Sequence, residues 1–180
     1  ILQGLLEVFE RRVAITVVRQ QLVMPTFDPA TIADPTLQRQ LAGLRARGIE
    51  VVLKDLSFGG ELPCVGAYFH DPQRPTDFQS HHVFKVGASY DRAAALGGCL
   101  AEYAQTMRMG EADPGAGGLH ERLLTVERAD NFLPLFWFGY VPWRDAAFLR
   151  DGDLVPFEPA PVAADACADI QRALTLAGRL

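Results

Sequence analysis

The sequence predicts an α/β (α+β) domain with helices layered on a sheet of short strands. Three observations carry that prediction. Stretches with helical apolar spacing open the chain, recur in its middle and close it; short runs rich in β-branched residues lie between them; clusters of Gly, Pro and Asp separate the runs. With 180 residues and 49% hydrophobic content, the chain is long enough to bury a core of its own.

Ile1 to about Gln21 reads as a helix, free of proline and stopped before Pro25. Asp34 followed by Pro35 is an N-cap with proline in the first helical turn, and Leu37, Leu41 and Leu44 then form a helical stripe that ends at Gly48. Ile49 to Leu56 reads as a strand centred on Val51, Val52 and Leu53. Gly59-Gly60 turns the chain into a second strand, Pro63 to Phe69. The cluster Asp71 to Pro75 is a turn, and His82 to Val86 a third strand.

A further helix runs from Asp91 to about Met107 on the apolar positions Ala93, Leu96, Leu100, Tyr103, Ala104 and Met107. A loop rich in glycine and acid follows, Gly110 to Gly118, then a helix from Leu119 to about Asp130. Pro156, Pro159 and Pro161 mark Val155 to Val162 as a stiff linker, and Ala163 to Leu180 closes the chain as a helix.

Composition excludes several roles. A net charge of −5 without a basic run disfavours nucleic acid and anionic membranes as partners. The most apolar stretch, Phe132 to Trp143, is shorter than the roughly 18 residues of a spanning helix and contains Pro134 and Pro142. Cys64, Cys99 and Cys167 are too few and too scattered for a disulfide framework or a CxxC site, so they read as reduced, buried thiols of a cytoplasmic protein.

The informative feature is the acidic sector of the first helix. At about 100° per residue, Gln3, Glu7, Glu10 and Arg11 share one narrow strip. One apolar stripe (Leu2, Leu5, Leu6, Phe9, Val13, Val17) and a second (Ile1, Val8, Ile15) leave little other polar surface, so the helix is suited to burial. Two carboxylates on such a helix are costly unless paired or metal-bound. Two readings stand side by side: a solvated strip closed by a Glu7–Arg11 pair at i, i+4 spacing, or a site for hard cations such as Mg²⁺. The helix from Asp91 repeats the theme more weakly, with Glu102 and Gln105 opposite its apolar stripe. Gly97 and Gly98 near its middle each cost about 1 kcal/mol relative to Ala, which implies close approach of backbone or ligand.

These residues resemble the YcaO family. Gly4-Leu5-Leu6-Glu7-Val8-Phe9-Glu10-Arg11 is similar to its helix motif G-L-x-E-x-x-E-R. Asp55-Leu56-Ser57-Phe58-Gly59-Gly60-Glu61-Leu62-Pro63 is similar to D-x-S-x-G-G-x-x-P. Gly87-Ala88, with the helix that carries Ala95-Leu96, Glu102 and Gln105, resembles the third motif. The resemblance implies ATP and Mg²⁺ as cofactors, with Glu7, Glu10 and Glu102 as metal ligands and Arg11 beside the nucleotide. It implies a peptide or protein substrate whose backbone amide oxygen is phosphorylated so that the amide carbon becomes open to attack. Some standalone members serve as accessory factors for methylthiolation of ribosomal protein S12, and the segment Asp130 to Pro161 resembles their connecting region. The chain reads as the central part of such a domain: motif-bearing over 1–109, looser over 110–162, with a terminal helix over 163–180, and incomplete at both ends. Gly98 departs from the pattern, standing where many members carry an arginine. A degenerate, non-catalytic binding module is therefore the rival reading, and which residues would act on the amide itself is left open.

Other candidates are weaker. His70, His81 and His82 flank one hairpin without a completing carboxylate or thiol. Ser57 and Ser89 lack a His-and-acid partner at motif spacing, and Gly59-Gly60 reads as a turn. Phe132, Phe136, Trp137, Phe138, Tyr140 and Trp143 read as core, with a partner or homodimer surface as the alternative.

Overall fold

The computed structural model describes residues 2–59, 62–73, 82–112, 146–159 and 166–177. Its first element is helix α1 (Leu2–Gln20), followed by strand β1 (Thr26–Asp28), a single 3₁₀ turn (Pro29–Thr31) and helix α2 (Pro35–Ala46). Three strands then form a meander, β2 (Glu50–Asp55), β3 (Cys64–His70) and β4 (His82–Ala88), before the long helix α3 (Arg92–Ala112). A short helix α4 (Ala147–Arg150), strand β5 (Leu154–Pro156) and helix α5 (Ala166–Ala177) complete the described chain. The sheet order is β4-β3-β2-β1-β5, all antiparallel except the parallel β1–β5 pair, so the α/β layered prediction holds with a mixed sheet.

Alternation along the strands assigns each face a separate core. Tyr68, Phe84, Val86 and Ala88 point to the side covered by α1, where Leu6, Phe9, Ala14, Val17 and Val18 meet Phe148 and Leu149. Val65, Ala67, Phe69 and Val83 point the other way, against Leu37, Leu41 and Leu44 of α2 and Leu96, Cys99 and Leu100 of α3. The predicted cap of α2 is present: Asp34 Oδ1 accepts from the backbone N–H groups of Thr36 (2.7 Å) and Leu37 (3.0 Å).

Several expectations are corrected. α1 buries one of its two apolar stripes, whereas Val8 and Ile15 of the second remain 63% and 43% exposed. Residues 154–156 are not part of a linker. They pair with β1 in the register Thr26↔Leu154, and Phe157 is buried edge-on against the ring of Phe27, 5.0 Å between centroids. Strands β1 and β5, each of three residues, are too short to show periodicity and were not foreseen. Cys64 and Cys99 are buried as expected, but Cys167 is exposed. The helix over Leu119–Asp130 and the aromatic stretch Phe132–Trp143 lie outside the described residues. No described helix is long and apolar enough to cross a membrane.

The β1–β5 end of the sheet is held by a buried cation. Lys54, 1% exposed, sends its ammonium to the carbonyl oxygens of Met24 (3.1 Å) and Asp151 and to Thr26 Oγ1 (2.7 Å). Burial lowers its pKa to about 8, with the Asp151 carboxylate opposing. Gly152, at φ +118°, lets the chain pass so close that a Cβ there would collide with the Met24 carbonyl.

Candidate functional site: an acidic cleft at the edge of the sheet

At the opposite side of the sheet, β4 pairs only with β3 among the described residues, and helices α1 and α3 overhang its edge from the two faces. Between them lies an open cleft of about 950 Å³. All four residues singled out in the sequence line it: Glu7, Glu10 and Arg11 from α1, and Glu102 from α3. Local helical geometry places the first three on one strip of α1. Only the packing of α1 and α3 around β4 brings Glu102 to them.

Glu10 is the best-seated of these groups. Its Oε1 accepts from the backbone N–H of Ala88 at 2.7 Å, tying the middle of α1 to the end of β4. Burial raises its pKa above the ordinary carboxylate range, and the charges of Glu102 and Glu7 add to that; the Ala88 bond and Arg11 act the other way. The carboxylates are thus close enough to feel one another. Glu7 and Arg11 form no ion pair, so the closed-strip reading of α1 does not describe this helix. Glu102 Oε2 instead faces Lys85 Nζ of β4 at 3.7 Å.

Lys85 and the Ala88 amide are the site features that the sequence reading missed. The available signal was a single cation interrupting the apolar strand Val83-Phe84-Lys85-Val86. Gly98 also lines the cleft, and a Cβ at Gly97 or Gly98 would meet nothing within 4 Å, so neither glycine marks close backbone approach. That role belongs to Gly87, where a Cβ would collide with the Ala95 carbonyl as α3 crosses β4. Gly87 therefore fixes the distance between the strand and the helix that carries Glu102.

The cleft's donors suit a hard cation. Carboxylate oxygens are what Mg²⁺ prefers, and Mg²⁺ keeps several waters and shares its shell with phosphate oxygens instead of demanding an all-protein cage. No group of three His, Cys, Asp or Glu side chains among the described residues is arranged to hold a metal ion by itself. The like-charge strain on Glu10 is what a bound cation would relieve.

The remaining candidates are structural. Ser57 Oγ accepts from the Cys64 N–H (3.2 Å) while Asp55 Oδ1 accepts from the Ser57 N–H (2.9 Å), which builds the β2–β3 turn, with Gly59 at φ +101°. Ser89 Oγ accepts from the Asp91 N–H (3.1 Å) ahead of α3. His70 and His82 are cross-strand neighbours with Nδ1 atoms 3.1 Å apart, and Tyr68 Oη lies 2.8 Å from His82 Nδ1; His81 is outside the described residues.

The family model for YcaO cyclodehydratase, described as ATP- and Mg²⁺-binding, matches residues 1–179. The chain belongs to the YcaO family. An uncharacterised protein of Haemophilus influenzae is 33% identical over 89 residues, which are 47% of this YcaO chain and 15% of that protein. Among solved structures, a heterocyclase in complex with substrate and cofactor superposes over 99% of the chain with a TM-score of 0.69 at 16% identity. The heterocyclase TruD does so over 99% with a TM-score of 0.64 at 14% identity. At those identities the likeness establishes the YcaO fold. The chain spans 22% and 23% of the two heterocyclases, so it corresponds to less than a quarter of either.

Proposed function

We propose that this chain carries the metal- and nucleotide-holding face of an ATP-dependent YcaO enzyme that activates a peptide backbone amide, as in cyclodehydration to azolines or in thioamide formation. The observation that supports this best is the convergence of Glu7, Glu10, Arg11 and Glu102 on one open cleft, from two helices far apart in sequence. In this reading Glu7 and Glu10 hold Mg²⁺, with Glu102 beside them. Arg11 and Lys85 are the cations that would face phosphate oxygens. ATP, when bound, supplies the phosphoryl group that turns the amide oxygen into a leaving group. The chain's own part is positioning and charge, which is most of what phosphoryl transfer asks of a protein. Ala88, by fixing Glu10, orients the carboxylate before any ligand arrives. Service as an accessory factor in methylthiolation of ribosomal protein S12 is the narrower form of the same reading.

A second reading is favoured by Gly98: a binding module that retains the fold without ATP chemistry. The cleft wall is bare there, and a Cβ at that position would meet nothing within 4 Å. Calorimetric titration of the full-length protein with ATP and Mg²⁺ separates the two. The enzyme reading expects binding that requires Mg²⁺ and weakens in Glu10→Gln. Absence of binding at millimolar nucleotide would leave the module.

A further inference from the structure

On the other side of α3, where it diverges from α2, lies a second cleft of about 530 Å³. Arg39 of α2, Arg47 at its C-cap and Arg108 of α3 line it, with Asp71 as the acidic residue among its walls. Positions 39, 43 and 47 fall on one side of α2, so Gly43 lies between the two arginines. No carboxylate pairs with the three guanidinium groups among the described residues. Arg39 Nη2 donates to Thr36 Oγ1 (3.2 Å), Arg108 Nε to Ala104 O (3.4 Å), and the Arg47 side chain makes no such bond. In a chain of net charge −5, this is a local concentration of positive charge.

The floor is apolar, formed by Leu44, Ile49, Leu100 and the half-buried Met107. The missing side chain of Gly43 keeps it open, since a Cβ there would meet nothing within 4 Å. We propose that this groove docks an acidic, amphipathic peptide segment of a partner protein. Guanidinium forks recognise carboxylates in a bidentate way, and an apolar floor between them takes the intervening apolar side chains. A small inorganic anion would leave that floor unused. Nucleic acid fits poorly as well. The chain as a whole is net negative, and the aromatic ring at the groove, Tyr103, is buried and stacked on Phe69 at 4.1 Å, so it offers no face to a base. The acidic cleft lies on the opposite side of α3, and its assignment does not enter this inference.

Fluorescence anisotropy with a labelled peptide of alternating Glu and Leu tests the proposal on the full-length protein. Binding is expected that weakens as salt is raised and falls about tenfold in each of Arg47→Glu and Arg108→Glu. Gly43→Phe should abolish binding without lowering the melting temperature, because the position is exposed, helical and free of steric conflict. Failure of the parent to bind at millimolar protein overturns the proposal. So does equal affinity for the same peptide with Gln in place of Glu, or undiminished binding by the two charge reversals. Displacement by polyphosphate at matched charge concentration would show a general anion site, and the peptide assignment would fall.

Discussion

The two sides of the sheet handle charge in opposite ways. At the β1–β5 side, Lys54 is withdrawn from water and surrounded by the Met24 and Asp151 carbonyls and the Thr26 hydroxyl. Dipoles of the right sign meet its N–H donors, although burial still lowers its pKa to about 8. At the β4 side, Glu10 is half-buried beside Glu7 and Glu102, and its fixed polar partner is one backbone N–H. Burial makes ionisation harder at both groups, but at Glu10 the like charges of Glu102 and Glu7 add to it, whereas at Lys54 the Asp151 carboxylate opposes it. A charge with its hydrogen-bond partners built in serves the fold, while in the proposed function a charge held among like charges in an open cleft awaits a ligand. Burial alone does not draw this contrast, because Lys54 is the more buried of the two.

The largest effect expected from breaking this contrast is at Lys54. Lys54→Met leaves two carbonyls and a hydroxyl without their shared donor and should cost about 3 kcal/mol in urea unfolding. A loss below about 0.5 kcal/mol would show that the network does not hold the β1–β5 end. Next is Gly87→Ala, where the added methyl must push α3 off β4 at a cost of about 2 kcal/mol. Since α3 carries Glu102, the same substitution should also weaken Mg²⁺-dependent nucleotide binding, which calorimetry would detect.

Glu10→Gln sharpens the comparison from the functional side. The amide keeps an acceptor for the Ala88 N–H and removes a disfavoured charge. Stability should therefore stay within about 0.5 kcal/mol of the parent or rise, while nucleotide affinity falls about tenfold. Stability lost together with unchanged affinity would make Glu10 the structural residue.

The pH dependence runs in opposite senses at the two groups. Glu10 has a folded pKa above its unfolded value of 4.5, so in that window the folded state binds more protons and its contribution falls as pH rises. Lys54 has a folded pKa of about 8 against 10.5 unfolded, so between those values the unfolded state binds more protons and stability rises with pH. Burial also raises the Cys64 thiol, which lowers stability in the alkaline range, but that contribution cancels when the parent is compared with Lys54→Met. Chemical denaturation of parent and variant across pH 8 to 10.5 should show the parent gaining on the variant, and parallel curves would contradict the assignment.

The acidic strip was legible because it is local. About 100° per residue fixes Glu7, Glu10 and Arg11 relative to one another whatever α1 packs against. The cap at Asp34, the stripe of α2, and the strand–turn–strand around Gly59 were readable for the same reason: backbone geometry and near-neighbour chemistry decide them. The Glu102 position entered through a motif, since nothing within α3 says which of its polar residues meets α1.

Tertiary structure alone decided the rest. A helix with two apolar stripes does not state which will be covered, and the packing of α1 on Tyr68, Phe84 and Val86 buried one and left Val8 and Ile15 in solvent. Three-residue strands carry no period, so β1 and β5 become strands only by meeting each other across the fold, in the register Phe27↔Val155. No local pattern marks Lys54 for burial, and the close crossing of the chain at Gly152 puts the Met24 carbonyl within reach of its ammonium. Periodicity sets the angle of a side chain about its own element. What that side chain meets depends on contacts between distant segments, which no local pattern encodes.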